Sequence, residues 1–185
     1  MPTTRKLRTS RNRSGAGPSS RRFVVLFAVA ALAQFGLLLA PWIRPVVDGF
    51  GFGAVSAASA LIHAFGGHAL ARGASLMSPV NGFGVEMKDG CNGVNVVILL
   101  WSAVLAFPGS ARAKLIGLLS GAVAVESLNL VRFVSLFYLG QYSSSWFEFA
   151  HLYLWETLIL LDGLVFFGLW VKYTSRGGKD AIAAR

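Results

Sequence analysis

Apolar residues fill four long stretches of this chain almost without interruption, and polar residues gather between and outside them. The stretches are 23–43 (FVVLFAVAALAQFGLLLAPWI), 91–111 (CNGVNVVILLWSAVLAFPGSA), 115–140 and 151–171. A helix rises about 1.5 Å per residue, so each is long enough to cross a hydrocarbon core about 30 Å thick. Pro41 and Trp42 mark an interface at the end of the first. The second carries no charge, the third carries Glu126 and Arg132, and the fourth carries Glu156 and Asp162. Short joining loops predict antiparallel neighbours. The pattern predicts an all-α membrane protein, a bundle of about four transmembrane helices.

Residues 44–90 break this pattern. Small residues and glycines dominate 46–72, with Asp48, His63 and His68 at the edges, which predicts a short helix lying on or dipping into the outer interface. Residues 75–89 then alternate, with Phe83, Val85 and Met87 set against Gly84, Glu86 and Lys88. That period of two predicts a small hairpin turning at Asn81-Gly82, although Pro79 weakens its first strand.

Composition supports the membrane reading: 55% of residues are hydrophobic and 14% charged, and the mean hydropathy is +0.60. A soluble domain of this size is excluded. The net charge of +9 would suggest nucleic acid if it lay along a folded surface, but seven of the 17 basic residues fall in the Ser/Gly/Pro-rich head 1–22. That head has no aromatic residue on which a base could stack. It reads as a disordered basic tail with affinity for anionic lipid. With this tail inside, Arg112, Lys114 and the basic residues of the tail 172–185 also fall on the inner side, against Arg44, Arg72 and Lys88 outside. The positive-inside rule therefore puts both termini in the cytoplasm and residues 44–90 outside. A fifth span over 46–66 would bring Cys91 inside and export the basic C-terminus.

The one cysteine, Cys91, rules out an intrachain disulfide and any paired-cysteine metal site. Three scattered histidines without a matching carboxylate motif give no metal site, and no cofactor motif is present. Cys91 sits in Asp89-Gly90-Cys91-Asn92-Gly93, a turn leading into a helix. A helix N-terminus favours a thiolate, so this is where a nucleophile would stand. Arg132 lies about 10 Å inside the outer end of its span, with Asn129 three residues earlier on nearly the same face. An intramembrane guanidinium points to an anion: a thiolate, an oxyanion or a substrate carboxylate. His151 opens the last span at the level of Cys91, suited to general-base work. Asn92, Asn129 and Glu126 are candidate supporting residues. Glu156, five residues after His151 and so about 140° around an α-helix, is read as structural. Each residue alone also has a plain reading: an inert buried thiol, an arginine neutralising Glu126 or Asp162, an interfacial histidine.

Taken together, Cys-Asn-Gly-Val at 91–94, Asn129-x-x-Arg132 and His151 resemble the exosortase/archaeosortase family over roughly 23–171, the short length being most similar to exosortase H. The resemblance implies a membrane thiol protease or transpeptidase that cuts the C-terminal sorting signal of exported proteins. Such a signal is a short motif, a transmembrane helix and a basic tail. It further implies Cys91 as nucleophile, His151 as base and then acid, and Arg132 as stabiliser of the thiolate or oxyanion, in the cytoplasmic membrane of a cell that exports such substrates. Most members are longer, and this chain lacks their additional helices. Two other classes fit the residues alone: a non-enzymatic assembly module, and a small transporter using Glu126, Arg132 and Asp162.

Overall fold

The computed structural model describes residues 20–88 and 90–183, with side chains to Ser175. Most of the predicted basic head, and Asp89, lie outside the described residues. The elements in chain order are α1 (Ser20–Leu38), α2 (Arg44–Ala64), β1 (Leu70–Arg72), β2 (Ser75–Met77), β3 (Gly84–Glu86), α3 (Val94–Ala106), α4 (Ala111–Tyr142), α5 (Ser144–Phe149), a π-helical turn (Ala150–Leu154) and α6 (Trp155–Ala183). The chain is a multi-pass helical membrane protein with one small sheet. Helix α1 starts at Ser20, so the last three residues assigned to the disordered head are helical, and α6 continues through most of the predicted C-terminal tail.

Local chemistry sets the boundaries. Pro45 stands in the first turn of α2, where its missing N–H costs nothing. That helix ends with Gly66 in the left-handed region (φ +79°), the Gly66 N–H donating to the His63 carbonyl and the Gly67 N–H to that of Ile62. This is a Schellman cap, which needs a residue without a β-carbon at the turn. Helix α3 stops at Phe107, which Pro108 holds extended (φ −76°, ψ 139°). Ser110 then caps α4, its hydroxyl accepting from the Ala113 N–H.

Two layers result. In the lower layer α1, α3, the first half of α4 and α6 pack side by side around Val97, Leu100, Val104, Val125, Ile159 and Trp170. From Ala111 to Leu128 this layer is about 26 Å deep, close to a bilayer's hydrocarbon core. Its α4–α6 seam is built on Gly117-x-x-x-Gly121. A β-carbon on Gly117 would stand 2.5 Å from the Trp170 indole nitrogen, and one on Gly121 2.7 Å from Leu100 and 2.9 Å from Phe166. Small residues four apart let helices approach closely, which is how helices associate where solvent exclusion offers little. The Trp170 indole N–H donates to the Ala113 carbonyl (3.0 Å), pinning the lower end of the seam.

The upper layer stands on the second half of α4, which runs about 20 Å past Leu128. Here α2 packs Val55, Ala58 and Ile62 against Phe133 and Phe137, and the sheet adds Leu76, Val85 and Met87. The sheet order is β1-β2-β3, antiparallel throughout, with Leu76 opposite Val85 and Met77 opposite Gly84. The hairpin and its inward Val85 and Met87 agree with the sequence pattern, while β1 is an addition to it.

Among the described residues, four helical runs are long and apolar enough to cross a membrane: α1, α2, α4 and Ser144–Ser175. The number agrees with expectation, but the membership differs. Helix α2 is 21 residues long, not a short interfacial helix, and Gly93 and Pro108 trim α3 to 13 residues, about 20 Å. By packing, α3 is nevertheless the centre of the lower layer, and α2 lies against the upper part of α4.

The seam yields a prediction. Gly121→Val should destabilise the folded chain by about 1–3 kcal/mol through overpacking, seen as a lower melting temperature in detergent. Gly168→Val, with nothing within 4 Å of its added β-carbon, should leave it unchanged. Equal effects of the two would mean the seam is not close-packed.

Candidate functional site

Where the two layers meet, the chain passes from β3 to α3 through Gly90–Gly93. Cys91 is fixed from both sides of this turn. Its N–H donates to the Lys88 carbonyl (2.9 Å), tying it to the end of the hairpin. On the other side, the Asn92 side-chain oxygen accepts from the Val94 N–H (3.2 Å), and Gly93 enters α3 with φ +77°. A β-carbon on Gly93 would lie 2.6 Å from one Glu126 carboxylate oxygen and 2.9 Å from the other. Glu126 of α4 therefore backs the turn. Of the three residues predicted to support the site, Asn92 lies in the turn, Glu126 backs it and Asn129 lines the same cavity as Cys91, with Asn92 and Asn129 6% and 2% exposed.

The three residues expected to carry chemistry converge. The His151 Nε2 is 3.5 Å from the Cys91 sulfur, and an Arg132 Nη2 donor is 3.8 Å from it. These separations suit hydrogen bonds to sulfur, whose radius lengthens them. The partners are 60 and 41 residues away from Cys91 in the chain, so only tertiary packing unites them. Arg132 is 4% exposed, Cys91 is partly exposed, and the Phe147 ring lies nearly parallel to the imidazole, 5.7 Å between centroids. A cavity of about 340 Å³ opens onto the group, walled by Gly84, Val85, Glu86 and Lys88 on one side and by α4, Phe147 and His151 on the other.

Compared with known proteins, the chain matches no family model, no curated protein and no solved structure. A partly exposed sulfur with an imidazole 3.5 Å away and a guanidinium 3.8 Å away is an arrangement that can supply a nucleophile, a base and a stabiliser of negative charge.

Several sequence expectations need correction in detail. His151 does not open a helix: α5 precedes it and the helical path runs unbroken through the π-turn into α6, so no helix N-terminus acts on it. Cys91 lies in a turn three residues before α3, as the stretch Asp89–Gly93 indicates. Arg132 is about 15 Å below the end of its helix, because α4 continues to Tyr142. Its carboxylate partner is neither Glu126 nor Asp162 but Glu156, at 3.8 Å.

Glu156 is the residue that sequence reasoning missed, and the π-turn is the reason. At 100° per residue His151 and Glu156 diverge, but within Ala150–Leu154 the turn closes between residues five apart, Trp155 N–H to the Ala150 carbonyl. The wider turn brings a residue five positions on back toward the same side. No residue pattern announces such a turn. Asp162 takes no part in the group, and one of its carboxylate oxygens is buried without a partner among the described residues. His63 and His68 stack edge to face at the top of α2, and no cluster able to hold a metal ion occurs among the described residues.

The turn carrying Cys91 can be tested directly. Gly93→Ala should cost about 1–3 kcal/mol from the left-handed backbone and the approach to Glu126 together. Adding Glu126→Ala should recover only the second part, leaving a deficit of about 1–2 kcal/mol. Thermal melting of the single and double variants in detergent separates the contributions, and a silent Gly93→Ala would show that the turn is not held this way.

Proposed function

We propose that this chain is a membrane-embedded cysteine peptidase or transpeptidase acting on exported proteins. The observation that carries the proposal is the meeting of Cys91, His151 and Arg132 within 3.5–3.8 Å at the mouth of a cavity. The resemblance of Cys-Asn-Gly-Val, Asn129-x-x-Arg132 and His151 to the exosortase family, short form, points to the same chemistry from the sequence.

In this reading His151 takes the Cys91 proton as the sulfur attacks a substrate carbonyl carbon. The C–S bond forms, and the carbonyl oxygen becomes an oxyanion beside the Arg132 guanidinium. Collapse of the tetrahedral adduct breaks the C–N bond, and His151 returns the proton to the departing amine. The remaining thioester passes its acyl group to water, or to an amine or hydroxyl of an acceptor. Glu156 acts through Arg132: its carboxylate holds one guanidinium nitrogen so that the group stays at the sulfur.

The lower layer, about as deep as a hydrocarbon core, would lie in the cytoplasmic membrane with both basic termini inside. The cysteine turn then sits at the outer boundary. There a substrate anchored by its own transmembrane helix, with a short motif before it and a basic tail after it, presents a peptide bond at the right depth. Membrane lipid surrounds the complex, and nucleic acid has no place in it.

Cys91→Ala and His151→Ala should each lower the rate of maturation of such a substrate by about a thousandfold or more, and Arg132→Ala by a similar factor, with the amount of protein in the membrane unchanged. The measurement is the size of exported, membrane-anchored proteins in cells carrying the wild-type or variant chain. Maturation that survives Cys91→Ala would remove Cys91 as the nucleophile and leave the assembly module or the small transporter.

A further inference from the structure

The strand that walls the cavity has an unused edge. In the β2–β3 ladder the Ser78 N–H donates to the Phe83 carbonyl and the Met87 N–H to that of Ala74, both at 2.8 Å. Antiparallel pairs alternate between bonded and unbonded. Residues 83, 85 and 87 therefore turn their backbone groups toward β2, and Gly84, Glu86 and Lys88 turn theirs the other way. Among the described residues no strand lies on that side, since β3 ends the sheet.

The direction of this edge is fixed by one bond. The Lys88 carbonyl, which belongs to it, accepts from the Cys91 N–H. The free edge thus leads to the cysteine turn, and Gly84 and Glu86, both exposed, line the cavity that holds Cys91, Arg132 and His151. Their outward N–H and carbonyl groups have no protein partner among the described residues.

We infer that β3 is the binding template for the substrate backbone: an extended polypeptide segment adds to Gly84–Glu86 as a fourth strand, and its next carbonyl is delivered to the Cys91 sulfur. This rests on the enzymatic reading above and assigns its substrate-binding element. Only an extended chain offers N–H and carbonyl groups at the two-residue period that this edge presents. A peptide bond inside a helix has those groups already engaged, so the segment to be cut must leave any helix it adjoins. Strand pairing ends at Lys88, because the Cys91 N–H already occupies that carbonyl. The added strand is therefore released from the ladder at the level of the sulfur, where the scissile carbonyl is free to face Arg132.

The test uses the full chain in lipid nanodiscs and two probes. One is a mixed-sequence set of tetrapeptidyl chloromethyl ketones, from which the Cys91 sulfur displaces chloride; the other is iodoacetamide, which reacts with the same sulfur without a backbone to pair. Glu86→Pro removes one outward N–H and leaves the β2 ladder intact, because proline is tolerated where the N–H faces away from the sheet. It should slow the peptidyl reagents about tenfold, the scale of one or two backbone hydrogen bonds, with iodoacetamide labelling unchanged. On the wild-type chain, N-methylation of the reagents' amides should slow labelling at alternate positions only, a result that requires no variant to fold. Equal peptidyl labelling of wild type and Glu86→Pro, together with no alternation among methylated reagents, would overturn the edge assignment and leave the nucleophile standing. Failure of Cys91 to react with iodoacetamide as well would overturn both.

Discussion

A guanidinium in an apolar bundle has to be answered, and much of the upper half of this molecule is arranged around the answer. Arg132 is 4% exposed on a helix whose neighbouring residues are almost all apolar. Left alone there, its charge would cost several kcal/mol. Two groups meet it, the Cys91 sulfur and the Glu156 carboxylate, and each comes from a different part of the chain. Glu156 is 61% exposed, so the ion pair adds little by itself to stability. Its effect is geometric: it fixes which way the guanidinium points. The nitrogen that meets Glu156, Nη2, is also the one that meets the Cys91 sulfur, so one end of the guanidinium is held between the two.

The two layers divide the physical tasks. The lower one is held by close approach of helices, with glycines on α4 accepting the aromatic rings of α6, because helices in lipid gain little from excluding solvent. The upper one is a mixed core in which α2 and a three-stranded sheet cover the apolar face of α4. The candidate site lies on the boundary between them. There the backbone can leave regular structure, since Gly90–Gly93 is enclosed by protein on the Glu126 side and open to the cavity on the other. Non-helical backbone beside an apolar layer is tolerated where it is buried in protein or lines a cavity.

The three residues that converge at the candidate site were legible in the sequence because each violates a local expectation. Cys91 stands in a turn-rich stretch before an uninterrupted apolar run, Arg132 is a charge inside a span, and His151 is a polar residue between apolar segments. The hairpin was legible too, since alternation over Phe83–Lys88 has only one structural meaning. Glu156 was hidden because its position depends on a π-turn, a change of helical period with no residue signature. The true extent of α2 was hidden because its alanines, serines and glycines are compatible equally with a surface helix and a long packed one; contact with Phe133 and Phe137 decided between them.

By itself, then, the amino-acid sequence determined that the chain is a helical membrane protein, where its apolar segments lie, and which few polar residues stand out against them. Those properties follow from hydropathy and spacing, which are local and additive along the chain. The tertiary structure alone decided that residues 41 and 60 positions away from Cys91 meet at its sulfur, that Glu156 joins them, and that the free edge of β3 faces the same cavity. Such facts depend on how helices pack and where a turn widens. Packing is set by the summed fit of many distant side chains, so no single stretch of sequence records it.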